Sequence, residues 1–230
     1  MKQNFNYTSK IILLTFFMLL SSTILQLIGI NIIPQGRHLI VFNIFTIFIS
    51  YFIVAFFYYK VEKRKIDYKK LLGEASLGKI MIGIATGMGI FLFQQLSYRI
   101  FIPTNTTVGS NVQTLQSIPI LFMVLFAVVL APIVEELFFR GFFYEITNKK
   151  TNPYVYYIGT ASLFALLHLQ NLDSPMYAIY NLIIVFISGL VFGLVYRKTN
   201  WIGTNIIAHA TANGIVIFLL ILFGWKKGII

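Results

Sequence analysis

The chain has 230 residues, of which 58% are hydrophobic and only 11% charged, with a formal net charge of +11. Soluble domains hold nearer to about 45–50% apolar and 25% charged residues. With a mean hydropathy of +0.82, this composition excludes an ordinary soluble domain and points to membrane spans of about 20 residues each. The 18 Lys and Arg residues lie mostly between apolar runs, where they set topology and meet anionic headgroups. No basic patch falls on a soluble segment, which argues against nucleic-acid binding. The absence of cysteine excludes disulfides, thiolate catalysis and Cys-ligated zinc.

In chain order, a short polar start with Lys2 and Lys10 precedes a first span over 11–33, read as retained because it lacks a small-residue cleavage site. A Pro34–His38 turn leads to a second span over 39–59, with His38 at its interface. Residues 60–79 form the main basic loop and anchor the topology. The third span covers 80–96 and contains Gly83-x-x-x-Gly87, a spacing that lets helices approach closely and that recurs at Gly189 and Gly193. A polar loop is expected over 97–117, where the Asn105–Thr107 sequon has no role. The fourth apolar element covers 118–148, and Pro132 is expected to kink or break it. Spans follow over 154–169, 176–196 and 201–223, separated by turns at 149–153, 170–175 and 197–200.

The reading is an all-α polytopic bundle of about seven transmembrane helices, seven or eight, forming one membrane domain over 1–230. With the N-terminus cytoplasmic, only Arg37, Arg99, Lys226 and Lys227 fall away from the cytoplasmic side, in keeping with the positive-inside rule. The abundance of Lys, Asn, Ile and Phe suggests a bacterial cell-membrane protein.

Ionisable groups inside spans are costly, at about 2.5–3.5 kcal/mol for a centrally placed acid on insertion scales, and they mark function. Glu135 and Glu136 stand adjacent in the fourth element, followed by Arg140. The i,i+4 spacing lets Glu136 and Arg140 pair on one face, while Glu135, rotated by about 100°, turns elsewhere and can face a cavity. Measured from the turn near Thr151, Glu135 and His168 both lie about 25 Å up antiparallel helices. His209 and Asn213 lie about 15 and 21 Å above the turn near Thr199, on the same side. Each taken alone has a plainer reading: Glu136–Arg140 as a structural ion pair, His168 as a satisfied core histidine, His209 and Asn213 as interhelical glue. Two of the three histidines and two of the seven acids nevertheless converge on one layer, which glue does not require.

A Glu beside a His can hold and deprotonate water, and a His with an Asn can donate to an oxyanion. These are the parts of amide hydrolysis. The set Glu135, His168 and His209 is equally a possible ligand set for a divalent metal such as zinc, although no H-E-x-x-H motif is present.

Glu135-Glu136-x-x-x-Arg140, Phe164-x-x-x-His168 and His209-x-x-x-Asn213, in that order on separate spans, resemble the CPBP family of type II CAAX prenyl endopeptidases and bacterial bacteriocin-processing enzymes. The resemblance covers about residues 118–222, the expected catalytic core. It implies an intramembrane glutamate-dependent endopeptidase acting on a membrane-associated peptide or protein. By it, Glu135 and His168 activate water, His209 and Asn213 form the oxyanion site, and Glu136, Arg140 and Phe164 support them, with no cofactor required by this mechanism. It also implies a role in bacteriocin processing, self-immunity or peptide signalling. The competing readings are an ion-coupled transporter, since the same residues make proton relays, and a non-catalytic, peptide-sequestering immunity protein.

Overall fold

The computed structural model describes residues 2–33, 37–61, 73–102, 119–143, 153–169 and 175–223. These form seven helices: α1 (Lys2–Ile32), α2 (Arg37–Val61), α3 (Leu77–Phe101), α4 (Ile120–Phe142), α5 (Pro153–Leu167), α6 (Pro175–Thr199) and α7 (Ile202–Phe223). No strand occurs among the described residues. Hydrocarbon offers no partner to backbone N–H and C=O groups, so apolar runs of this length satisfy them within helices. Five of the helices are long and apolar enough to cross a membrane, while α2 and α5 hold shorter apolar stretches, Val41–Phe56 and Tyr156–Leu167. The chain is thus an all-helical, multi-pass membrane protein. Its outer faces leave Phe16, Leu92 and Phe218 exposed, as a lipid solvent permits.

Two small-residue steps set the helix packing. A Cβ at Gly83 would lie 2.7 Å from the Thr204 carbonyl oxygen, and one at Gly87 would overlap the Ala208 carbonyl. The glycines therefore let α3 lie directly on the backbone of α7. On α6, a Cβ at Gly189 would lie 3.0 Å from Ala161 Cα, and one at Gly193 would lie 2.9 Å from the Tyr157 ring, which seats α6 on α5. Helices α6 and α7 are joined by only Asn200 and Trp201. Asn200 adopts φ 48°, a left-handed conformation that Asn tolerates better than most residues, and its N–H closes α6 onto the Tyr196 carbonyl at 2.8 Å.

The core is aromatic. Phe138, Phe139, Phe142 and Phe143 of and just beyond α4 pack with Tyr51 of α2 and Phe164 of α5. Tyr51 stacks on Phe138 with centroids 4.6 Å apart. Such offset and edge contacts add about 0.5–1.5 kcal/mol per pair beyond area burial.

Several boundaries differ from expectation. Helix α3 starts earlier, at Leu77, because Ser76 caps it by accepting the Lys79 N–H at 3.3 Å. It then continues into the first residues of the segment read as a polar loop, to Phe101. Ser97 is accommodated there by bonding the Gln94 carbonyl and Tyr180, so its polarity does not end the helix. Helix α5 stops at Leu167, leaving His168 in a turn just beyond it. Of the expected basic loop over 60–79, residues 60–61 end α2 and 77–79 begin α3, while 62–72 lie outside the described residues, as do the sequon and the C-terminal Lys226 and Lys227.

Pro132 does not break α4. The helix carries π-helical turns over Leu125–Leu130 and Leu137–Phe142, on either side of the α-helical Ala131–Glu136. The Ala131 N–H reaches back five residues to Phe126 O, and Phe143 does the same to Phe138 O. The wide turn falls just before the proline, where its ring would crowd the carbonyl four residues back, and the helix continues through Pro132.

The Gly87→Leu variant is expected to lose about 3 kcal/mol of stability or more, since overpacking against backbone is not relieved by a rotamer change. Gly89→Ala meets nothing within 4 Å and is expected to be neutral. Thermal unfolding in detergent micelles measures both.

Candidate active site

The site is built around one buried carboxylate. Glu136 and Arg140 have no exposed surface, and Arg140 Nη1 donates to Glu136 Oε1 at 3.0 Å. The i,i+4 spacing alone produces this pair. The rest of the shell comes from tertiary packing. Arg140 Nη2 donates to the Gly189 carbonyl at 3.2 Å, and the guanidinium carbon sits 4.9 Å from the Phe164 ring centre and 5.1 Å from that of Phe192. Desolvated cation–π contacts of this kind are worth about 2 kcal/mol. Phe164 therefore supports the cluster through the arginine as well as through its ring contacts with His168 and His209.

Helix α7 presents three polar residues to this carboxylate and the cavity beside it. Asn205 Nδ2 donates to Glu136 Oε2 at 3.2 Å and to the Phe192 carbonyl at 2.7 Å. His209 Nδ1 lies 3.2 Å from Glu136 Oε1, and its Nε2 lies 4.0 Å from Glu135 Oε2. His209 thus bridges the two glutamates; the sequence had grouped it with Asn213 and, as a possible metal ligand, with Glu135 and His168, but not with Glu136. Asn205 was also missed. The signal was present, since Asn205, His209 and Asn213 are spaced at i,i+4,i+8 on one helical face.

Glu135 turns the other way. It lines a cavity of about 750 Å³ shared by His168, His209 and Asn213, within the range of about 300–1,000 Å³ for ligand sites. Its Oε2 lies 3.5 Å from His168 Nε2 and makes no hydrogen bond among the described residues.

The orientation of His168 follows from the helix it ends. The last four carbonyls of a helix lack intrahelical partners. His168 Nδ1 lies 2.7 Å from the Phe164 carbonyl, its backbone N–H bonds the Ala165 carbonyl, and Leu169 N–H bonds that of Leu166. A carbonyl only accepts, so Nδ1 carries a hydrogen and Nε2 is the ring nitrogen that faces Glu135. Asn181 of α6 holds the turn by donating to the His168 carbonyl at 2.7 Å.

Pro132 places Asn213 by similar logic. In the register set by Ala131 N–H to Phe126 O, the next rung would run from residue 132 to Ala127 O, and proline has no hydrogen to give. Asn213 Nδ2 donates to that carbonyl at 2.8 Å. The carboxamide is thereby fixed against α4 with a second N–H remaining at the cavity wall.

Tetrahedral zinc ligands at about 2.1 Å from the metal lie roughly 3.4 Å apart. Among the described residues no group of three or more His, Cys, Asp or Glu side chains can hold a metal ion. In the set Glu135, His168 and His209, the 4.0 Å separation of His209 from Glu135 is too long, so no chemical step is assigned to a metal.

Residues 117–215 match the family model described as Type II CAAX prenyl endopeptidase Rce1-like. No curated protein and no solved structure matches the chain. The matched segment holds α4 to α6 and the part of α7 that bears Asn205, His209 and Asn213; helices α1 to α3 lie outside it.

Removing one member of a buried ion pair costs about 3–5 kcal/mol because the other charge is stranded. Arg140→Met is expected to lose that much. The double variant Arg140→Met/Glu136→Gln is expected to recover at least half, by thermal unfolding of purified protein in micelles.

Proposed function

We propose that this chain, which belongs through residues 117–215 to the Rce1-like family of type II CAAX endopeptidases, is an intramembrane peptidase whose water is activated by Glu135 with His168. The family membership makes it a CAAX-type membrane protease in general terms. The observation that carries the finer reading is the convergence of Glu135 Oε2 and His168 Nε2, 3.5 Å apart on one cavity wall. Neither group is consumed by the ion pair behind it.

In this mechanism a water on the cavity side is held between Glu135 and His168. One of them takes its proton as the oxygen attacks the carbonyl carbon of a peptide bond. Charge then builds on the carbonyl oxygen. The free N–H of Asn213 donates to it, and His209, its Nδ1 directed to Glu136, faces it through Nε2. Collapse of the tetrahedral intermediate breaks the C–N bond, and the Glu135–His168 pair returns the proton to the leaving amine. Glu136 and Arg140 act through others: they hold His209 and the α4 face that presents Glu135. The substrate is a membrane-associated peptide or protein, and bacteriocin maturation or self-immunity is a fitting use. The mechanism needs no metal.

Glu135→Gln and His168→Ala are each expected to lower cleavage of membrane-anchored peptides in liposomes by at least about 100-fold, the size of a general-base contribution. Both should retain the wild-type melting behaviour within a few degrees, and wild-type activity should survive chelator treatment. Wild-type turnover by Glu135→Gln would remove the mechanism.

Pro132→Ala restores an N–H to α4 and is expected to draw the Ala127 carbonyl back into the helix. The expected result is a drop in kcat of about 10-fold or more at near-constant KM, because an oxyanion donor serves only the transition state. Steady-state kinetics on the same peptides checks it.

A further inference from the structure

A peptide bond cleaved inside a membrane must first leave its own helix. That strands N–H and C=O groups in apolar surroundings, each costing several kcal/mol unless bonded. The cavity wall is mainly aliphatic and aromatic, and the residues read as catalytic are engaged at the scissile bond. Outside them, the wall carries three polar side chains: Tyr51, Gln94 and Ser188. Two of these, Gln94 of α3 and Ser188 of α6, adjoin each other, with Gln94 Nε2 donating to Ser188 Oγ at 3.4 Å.

That bond is at the long limit and is not what joins the two helices. The joining is done by the backbone carbonyl of Gln94, which accepts from Tyr180 Oη at 2.9 Å, with Ser97 Oγ 3.0 Å from the same hydroxyl. The Gln94 side chain is therefore spare. Its Oε1 accepts no hydrogen bond among the described residues, and Ser188 Oγ, which donates to the Ile184 carbonyl at 2.9 Å, has lone pairs to offer. Depth agrees. At 1.5 Å per residue Ser188 lies roughly 18 Å and His209 roughly 12 Å from the Asn200–Trp201 turn, about one helical turn apart. A carboxamide that both donates and accepts is the side-chain complement of a peptide unit.

We propose that Gln94 and Ser188 form a subsite that hydrogen-bonds the main chain of the unwound peptide beside the scissile bond. Gln94 accepts an N–H through Oε1 and donates to a carbonyl through Nε2, and Ser188 Oγ takes a second N–H. The subsite reads main chain, so it is indifferent to side-chain identity. The inference rests on the peptidase reading for its purpose, though not for its test.

The test uses a fluorescent leucine- and alanine-based peptide in phosphatidylethanolamine–phosphatidylglycerol liposomes. It is made all-amide and as a series with one amide replaced by an ester at each position. Binding is measured to the full-length Glu135→Gln protein, and to the same protein carrying Gln94→Met or Ser188→Ala. Two ester positions are each expected to weaken binding about fivefold, the worth of one hydrogen bond of about 1 kcal/mol. One step should vanish with Gln94→Met and the other with Ser188→Ala, with melting temperatures unchanged. Failure of the all-amide peptide to bind, an ester profile unaffected by Gln94→Met, or a lowered melting temperature with an unchanged profile each overturns the subsite; the last would make Gln94 a helix-joining residue. If the wild-type protein leaves every peptide intact while the ester steps still vanish, the peptidase reading fails and the subsite stands.

Discussion

A carboxylate with no exposed surface, Glu136, is the constraint to which the rest of the site answers. Charge buried in a low-dielectric interior is tolerated only when paired and fully hydrogen-bonded. Glu136 meets that condition through Arg140 on its own helix and Asn205 and His209 on α7. Arg140 in turn needs the Gly189 carbonyl and the faces of Phe164 and Phe192. Satisfying one charge therefore draws α4, α5, α6 and α7 together. The adjacent Glu135, a third of a turn away, is left facing the cavity.

The close approaches that make this possible depend on missing atoms. Glycines at 83 and 87 let α3 rest on α7, and Gly189 lets α6 approach α5 while its carbonyl accepts from Arg140. A hydrogen missing from Pro132 has the converse effect. It leaves the Ala127 carbonyl for Asn213 rather than for the helix's own ladder. The end of α5 works alike, since the carbonyl of Phe164, unpaired at a helix terminus, orients the His168 ring. In each case the departure from regular backbone bonding aims a side chain at the cavity, and π-helical turns at functional positions are a familiar form of it.

The segment that matches the family model begins with the residues entering α4, yet the cavity wall does not. Tyr51 of α2 and Gln94 of α3 contribute to it from outside that segment. The molecule thus separates a chemical core, held by charge pairing, from walls on earlier helices whose contacts with it are largely apolar. Changes in those walls can alter what enters the cavity without disturbing the Glu136 cluster.

By itself the sequence determined that the chain crosses a membrane as a helical bundle, because composition and run length leave the backbone no other way to bond. It also determined that Glu136 pairs with Arg140, since i,i+4 spacing is a local property, and that Glu135 and His168 share a depth, since hairpin lengths are additive. The order of the three motifs carried the resemblance to the family whose model matches residues 117–215. Tertiary structure alone decided the rest. Whether α3 ended at Ser97 depended on Tyr180, a partner 83 residues away. Whether Pro132 broke α4 depended on π-turns and on Asn213 from α7. Asn205 and the second face of His209 acquired meaning only when α7 lay against α4. Local spacing specifies neighbours on one helix, but the bonding of a polar group across helices is set by packing, which no single helix encodes.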